Sequence, residues 1–99
     1  MINAGAIATV ALVEGDTAEA KFARMLDCYN RYLGRRPELD TEVYQSEKAT
    51  GHRNRAIAWL LHNHDILERA PDDVLDVYFR QCSLLVTCRD LALMGATLA

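Results

Sequence analysis

The sequence predicts an all-α fold of five to seven helices joined by short connections. Three observations predict it. Apolar residues recur three and four apart along most of the chain, the pattern of helices that bury one face. Only two prolines and five glycines punctuate 99 residues. An all-β sandwich needs a turn every ~8–12 residues and would use more of both. No segment alternates apolar and polar residues far enough to read as a strand. The apolar fraction of 51% supplies a core and excludes a disordered tail, so residues 1–99 read as a single helical domain. Eleven basic residues against fourteen acidic ones leave a net charge of −3. The basic residues are scattered, which leaves no electrostatic footprint for nucleic acid.

The elements follow in order. Residues 2–13, INAGAIATVALV, are almost unbroken apolar. They lack the basic start of a signal peptide and fall well short of the ~20 residues that cross a bilayer, so they read as a buried helix with no membrane partner. A turn at Glu14-Gly15-Asp16 leads to an N-cap at Asp16 or Thr17. The next helix runs from about 17 to 33, with Phe22, Met25, Leu26, Tyr29, Tyr32 and Leu33 on its apolar face and Lys21, Arg24, Asp27 and Arg31 opposite. Gly34 ends it and Pro37 prevents continuation. Asp40 caps a helix from near Thr41, and residues 43–61 are helical formers throughout. Gly51 in their midst marks a junction or a place where another backbone comes close. Ile57, Trp59, Leu60 and Leu61 form a wide apolar face. Pro71 suits a first helical position, with Asp72 and Asp73 at the positive end of the dipole. Leu75, Tyr78, Phe79 and Cys82 share one face of that helix. Thr87 with Asp90 approximates a capping box that opens the last helix. The apolar end runs, 2–13 and 91–99, are expected to form an exposed adhesive surface, and both ends read as cut from a longer protein.

Few residues suggest chemistry. Cys28, Cys82 and Cys88 form no CxxC pair and read as reduced, buried small residues of a cytosolic protein. His52, His62 and His64 lack the i, i+3 or i, i+4 spacing of helical ligands, so no metal site and no cofactor are expected. Neither Ser46 nor Ser83 begins S-x-x-K, and the chain has no GxSxG and no glycine-rich phosphate loop, so no catalytic residue is assigned. Glu47 and Asn54 are seven apart and share a face if the helix runs through Gly51. A carboxylate and an amide beside an apolar stretch can receive a cationic amine. A solvated helix face explains the same spacing. Asn3 reads first as an N-cap and second as a group presented to a pocket. Tyr78 reads as a core aromatic whose hydroxyl finds a partner. Lys48, Arg53 and Arg55 read as surface ion-pair partners.

Three blocks carry a resemblance: INAGAI (2–7), VYQSEKATGHRNRAIAWLL (43–61) and DVLDVYFRQCSLLVTCRDLALMGATLA (73–99). Together, in this order, they resemble the bacterial-type, serine-dependent glutaminases. The resemblance implies the helical part of a serine β-lactamase-like fold, packed on an α/β part of the same enzyme. It implies conversion of L-glutamine and water to L-glutamate and ammonia. The family's S-x-x-K nucleophile motif lies upstream and is absent here, which implies a fragment inactive alone. Asn3 in INAGA, Glu47 in SEK, Asn54 in GHRN and Tyr78 in VYF match the family's substrate-binding positions. Glu47, the only anion of the four, is assigned to the substrate α-ammonium, with Tyr78 and Asn54 near the same group and Asn3 on the α-carboxylate. The implied partners are L-glutamine, the α/β part and further copies in a homo-oligomer, with neither nucleic acid nor membrane. A free-standing helical interaction module is the alternative from another class.

Overall fold

The computed structural model describes residues 2–99, with the backbone alone at Ile2. Six helices and one short ribbon form among these residues. They are α1 (Ile2–Ala11), α2 (Ala18–Leu33), β1 (Glu38–Leu39), α3 (Thr41–Thr50), α4 (His52–Asn63), α5 (Pro71–Cys82), β2 (Leu84–Leu85) and α6 (Cys88–Leu98). The all-α expectation holds. The helix boundaries lie where side chains can satisfy the orphan backbone groups. Thr17, rather than Asp16, caps α2 by accepting the Ala20 N–H at 3.1 Å. Asp40 caps α3 by accepting the Val43 N–H at 3.0 Å. Gly34 ends α2 at φ 70°, a conformation that favours glycine. At α6 the capping box is complete: Thr87 accepts the Asp90 N–H at 3.1 Å and Asp90 accepts the Thr87 N–H at 2.8 Å.

α5 is the central element, packed on α1, α2, α3 and α4. That position explains why Val74, Leu75, Val77, Tyr78 and Phe79 are all buried, more than one helix face would supply. Ile7 and Val10 of α1, Met25 of α2, Ala58 of α4 and Leu67 join them in one core. β1 and β2 pair antiparallel, Glu38 opposite Leu85 and Leu39 opposite Leu84, and the Asp40 N–H donates to the Ser83 carbonyl at 2.9 Å. This ribbon ties the α2–α3 connection to the α5–α6 connection. Arg35 and Asp90 pair across the same place. The Arg35 hydrogen bond, then the Thr87 backbone, bring the Asp90 carboxyl down to about 2.

Several expectations are corrected. Asn3 lies inside α1 and is not its N-cap. Lys21, expected on the polar side of α2, is only 7% exposed. Its ammonium donates to the Ala11 carbonyl at 3.0 Å and the Val13 carbonyl at 2.7 Å, at the end of α1. A cation meets the negative end of the helix dipole there, and its burial is offset by those bonds. On α4 the core contact is Ala58, fully buried, whereas Trp59 and Leu60 are more than half exposed. The small Ala58 side chain lets α4 approach α1 and α5 closely. The cysteines are not buried: Cys28 is half-buried, and Cys82 and Cys88 are exposed. The end runs behave differently from one another. Leu91 and Leu98 of α6 are exposed, but Ile7 and Val10 of α1 are core, so only Leu12 of the first run presents a large exposed apolar side chain among the described residues. The Ile2 side chain, part of that first run, lies outside the described residues.

Candidate functional site

The four candidate residues come from four helices and are taken as two pairs, of which one is joined by a hydrogen bond. Asn3, near the start of α1, donates its side-chain N–H to the Asn54 side-chain oxygen at 2.9 Å. Asn54 is the third residue of α4, so the bond joins two helices that already pack on each other. Both side chains are half-buried. The second pair is Glu47 of α3 and Tyr78 of α5. Tyr78 is 8% exposed and lines an apolar hollow of about 330 Å³ with Cys82, Leu91 and Met94. Burial first, then the Cys82 thiol and the charge of Glu47, push the Tyr78 hydroxyl up to about 12. It therefore stays protonated at neutral pH, able both to donate and to accept.

Cys82 is one turn beyond Tyr78 on α5. Although the residue is exposed, partial desolvation of its thiol and, less so, the charge of Glu47 raise its ionisation above the ordinary range, against the hydrogen bond with Tyr78 that lowers it. A thiol held in that state is a poor nucleophile. The sequence put Cys82 on the same helix face as Tyr78, but nothing in the sequence alone brought Glu47 to both.

The setting of Glu47 has a further cause. The chain does not continue as one helix through Gly51, as the seven-residue spacing of Glu47 and Asn54 required. α3 and α4 break there, at φ −73° and ψ 39°. Of the three cations expected to form surface ion pairs, Lys48 does so among the described residues. Lys48 meets Asp76 at 3.1 Å. Arg55 donates to the Lys48 carbonyl and lies over the Phe79 ring, 5.5 Å from its centre. Arg53 forms no ion pair among the described residues, and neither does Glu47. Glu47 is thus a half-buried acidic residue with no counter-ion among the described residues.

Asp76 is the polar centre that sequence reasoning missed. It accepts from Tyr44, from Lys48 and, at 2.9 Å, from Arg80. Burial raises its ionisation, but the hydrogen bonds from Tyr44 and Lys48 and the charge of Arg80 outweigh it, and the net shift is down. The i, i+4 pairs Tyr44–Lys48 and Asp76–Arg80 were visible as spacings. That α3 packs on α5 was not.

Neither serine is poised for attack. The Ser83 hydroxyl is buried and donates to the Phe79 carbonyl at 2.7 Å. Ser46 is exposed on α3. Among the described residues no group of three His, Cys, Asp or Glu could hold a metal ion, and no helix is long and apolar enough to cross a membrane.

Comparison with known proteins gives a consistent result. A family profile described as Glutaminase matches residues 1–99. A glutaminase of Brucella canis is 54% identical over the whole chain, and one of Trichormus variabilis is 48% identical. The chain spans 31% and 30% of the length of these relatives. Among solved structures, a probable glutaminase of Bacillus subtilis superposes with a TM-score of 0.94 at 37% identity, covering 98% of this chain and 31% of that one. A Bacillus subtilis glutaminase in covalent complex with 5-oxo-L-norleucine, formed by reaction with 6-diazo-5-oxo-L-norleucine, superposes at 0.93 with 36% identity over 97% of this chain and 33% of its own. With every position inside the family profile and the helical architecture shared with solved members, this chain belongs to the glutaminase family.

Proposed function

We propose that residues 1–99 form the helical, substrate-gripping domain of an amidohydrolase that converts L-glutamine and water to L-glutamate and ammonia. The observation that carries this reading is Glu47, a half-buried residue that forms no ion pair among the described residues and whose charge contributes to keeping the Tyr78 hydroxyl protonated. An α-ammonium supplies the missing cation, and the Tyr78 oxygen can accept one of its protons. Asn3 spends one side-chain N–H on Asn54 and keeps the second for the α-carboxylate. The Asn54 oxygen keeps a lone pair for the ammonium. Groups that grip both ends of a free amino acid orient its side-chain amide for attack and disfavour peptide-linked glutamine, which lacks those charges. The covalent norleucine-derived complex of the Bacillus subtilis relative supports an amino-acid ligand in such a site.

The nucleophile comes from outside these residues, since Ser83 is tied to a backbone carbonyl. On this reading an α/β part of the same cytoplasmic enzyme supplies it, copies of the enzyme associate, and the 99-residue chain alone releases no ammonia. The test is Glu47→Gln in the intact enzyme that carries this domain. The change keeps size and removes charge. A charge-assisted hydrogen bond is worth about 1.5–3 kcal/mol, so kcat/KM for glutamine is expected to fall roughly tenfold to a hundredfold or more. The melting temperature should stay near that of the parent. An unchanged kcat/KM would remove Glu47 from the site and the reading with it.

A further inference from the structure

A glycine at a helix junction is often there because its backbone is closed to other residues. Gly51 has a different reason. Its φ of −73° is open to any L residue. Space is what it lacks. A methyl group at Gly51 would lie 2.5 Å from Cζ and 2.8 Å from Cε1 of Phe79, and 2.6 Å from the Glu47 carbonyl oxygen. All three distances are well inside van der Waals contact. The Phe79 side chain is itself part of the core, 2% exposed. It is covered on the Arg55 side by a guanidinium that also holds the Lys48 carbonyl at the end of α3.

The surroundings of Gly51 contain three of the four candidate substrate groups. Glu47 lies one turn before it, Asn54 three residues after it, and Tyr78 is the chain neighbour of Phe79. We propose that Gly51 is a positioning residue. Its missing side chain lets the α3–α4 junction seat directly on Phe79, and that seating sets where Glu47 and Asn54 stand relative to Tyr78. The inference rests on the reading of these residues as a glutamine site. An added β-carbon must displace either the Phe79 ring, and Tyr78 with it, or the last turn of α3, and Glu47 with it. Both responses move a group that grips the amino acid, and neither touches the bond that is broken.

The experiment uses the intact enzyme with Gly51→Ala, Phe79→Leu, the two combined, and Glu47→Gln. Misplacement of about an ångström can cost up to a hundredfold in rate, so Gly51→Ala is expected to lower kcat/KM for glutamine roughly tenfold or more, through both a raised KM and a lowered kcat. Titration calorimetry with L-glutamate should show a parallel loss of affinity, independent of turnover. Phe79→Leu removes the outer edge of the ring. In that background the Gly51→Ala penalty on glutamate affinity should shrink severalfold, the signature of a steric coupling. An equal penalty in both backgrounds overturns the inference, as does a Gly51→Ala enzyme with parental KM and glutamate affinity. If Gly51→Ala and the combined variant are both recovered unfolded, Gly51 is structural and the inference also fails. Loss of activity in Glu47→Gln alongside any of these results leaves the glutamine-site reading standing, so the two failures are distinguishable.

Discussion

The side-chain amide of Asn3 donates to the side-chain oxygen of Asn54 at 2.9 Å, and this one bond joins the start of α1 to the start of α4. Each amide therefore orients the other before any ligand arrives. A double-mutant cycle on Asn3→Ala and Asn54→Ala should be non-additive. Truncating either residue leaves the other amide unpaired and costs about 1 kcal/mol in stability, while the pair together cost less than the sum. Thermal unfolding of the four enzymes measures it. Strict additivity would mean that the bond carries no energy.

Tyr78 and Glu47 should be separable by titration. The Glu47 charge is one of the causes that hold the Tyr78 hydroxyl near 12. Glu47→Gln removes a negative charge that opposes phenolate formation, so Tyr78 should ionise at lower pH. Burial, the larger cause, remains, and the value should stay above the ordinary tyrosine range. Phenolate absorbance, taken as a difference against Tyr78→Phe, reads the shift. No movement would mean that the two groups do not feel each other.

Acid should weaken the α6 attachment. Asp90 in the folded chain ionises near 2, below the usual carboxylate value of 3.8. A depressed folded value stabilises the fold above the unfolded value, and that stability is lost as pH falls through the folded one. The window is thus from about pH 4 down to about pH 2. Asp90→Asn should lower the melting temperature at neutral pH and flatten its decline across that window. Thr87→Ala removes the other half of the capping box and should cost about 1 kcal/mol.

Lys21→Met tests the buried ammonium at the end of α1. The methionine fills similar volume but leaves the carbonyls of Ala11 and Val13 without donors. Unpaired buried carbonyls cost about 1–3 kcal/mol. A melting temperature at or above that of the parent would mean that shedding a buried cation outweighs those bonds.

How much of this was legible in the sequence depends on the range of the interaction. Caps are local, and Thr17, Asp40, Gly34, Pro71 and the Thr87–Asp90 box could be read from neighbours three residues apart. Lys21 was placed on the wrong side because helical spacing describes one helix, and its partners are the carbonyls of Ala11, the last residue of α1, and Val13, just beyond it. Trp59 and Ala58 exchanged roles for a related reason. Hydrophobicity favours the larger side chain, but the closeness of α1 and α5 decides which position can face inward. Of the candidate site, residue types and motif matches could name Asn3, Glu47, Asn54 and Tyr78. The bond between the two asparagines and the engagement of Lys48 by Asp76 depend on how helices pack, which no single spacing encodes.

The helices are not equally fastened. α5 touches four other helices, whereas α6 has its main helical contact with α2 alone and is otherwise held by the Arg35–Asp90 pair and its own cap. Such an element can peel away without opening the core. Native-state hydrogen exchange should therefore find α6 amides released at a lower free energy than those of α5, as a separate cooperative unit. Leu91 and Met94 of α6 share the lining of one hollow with Tyr78, so release of α6 would remove one wall of that hollow and leave the α5 wall standing.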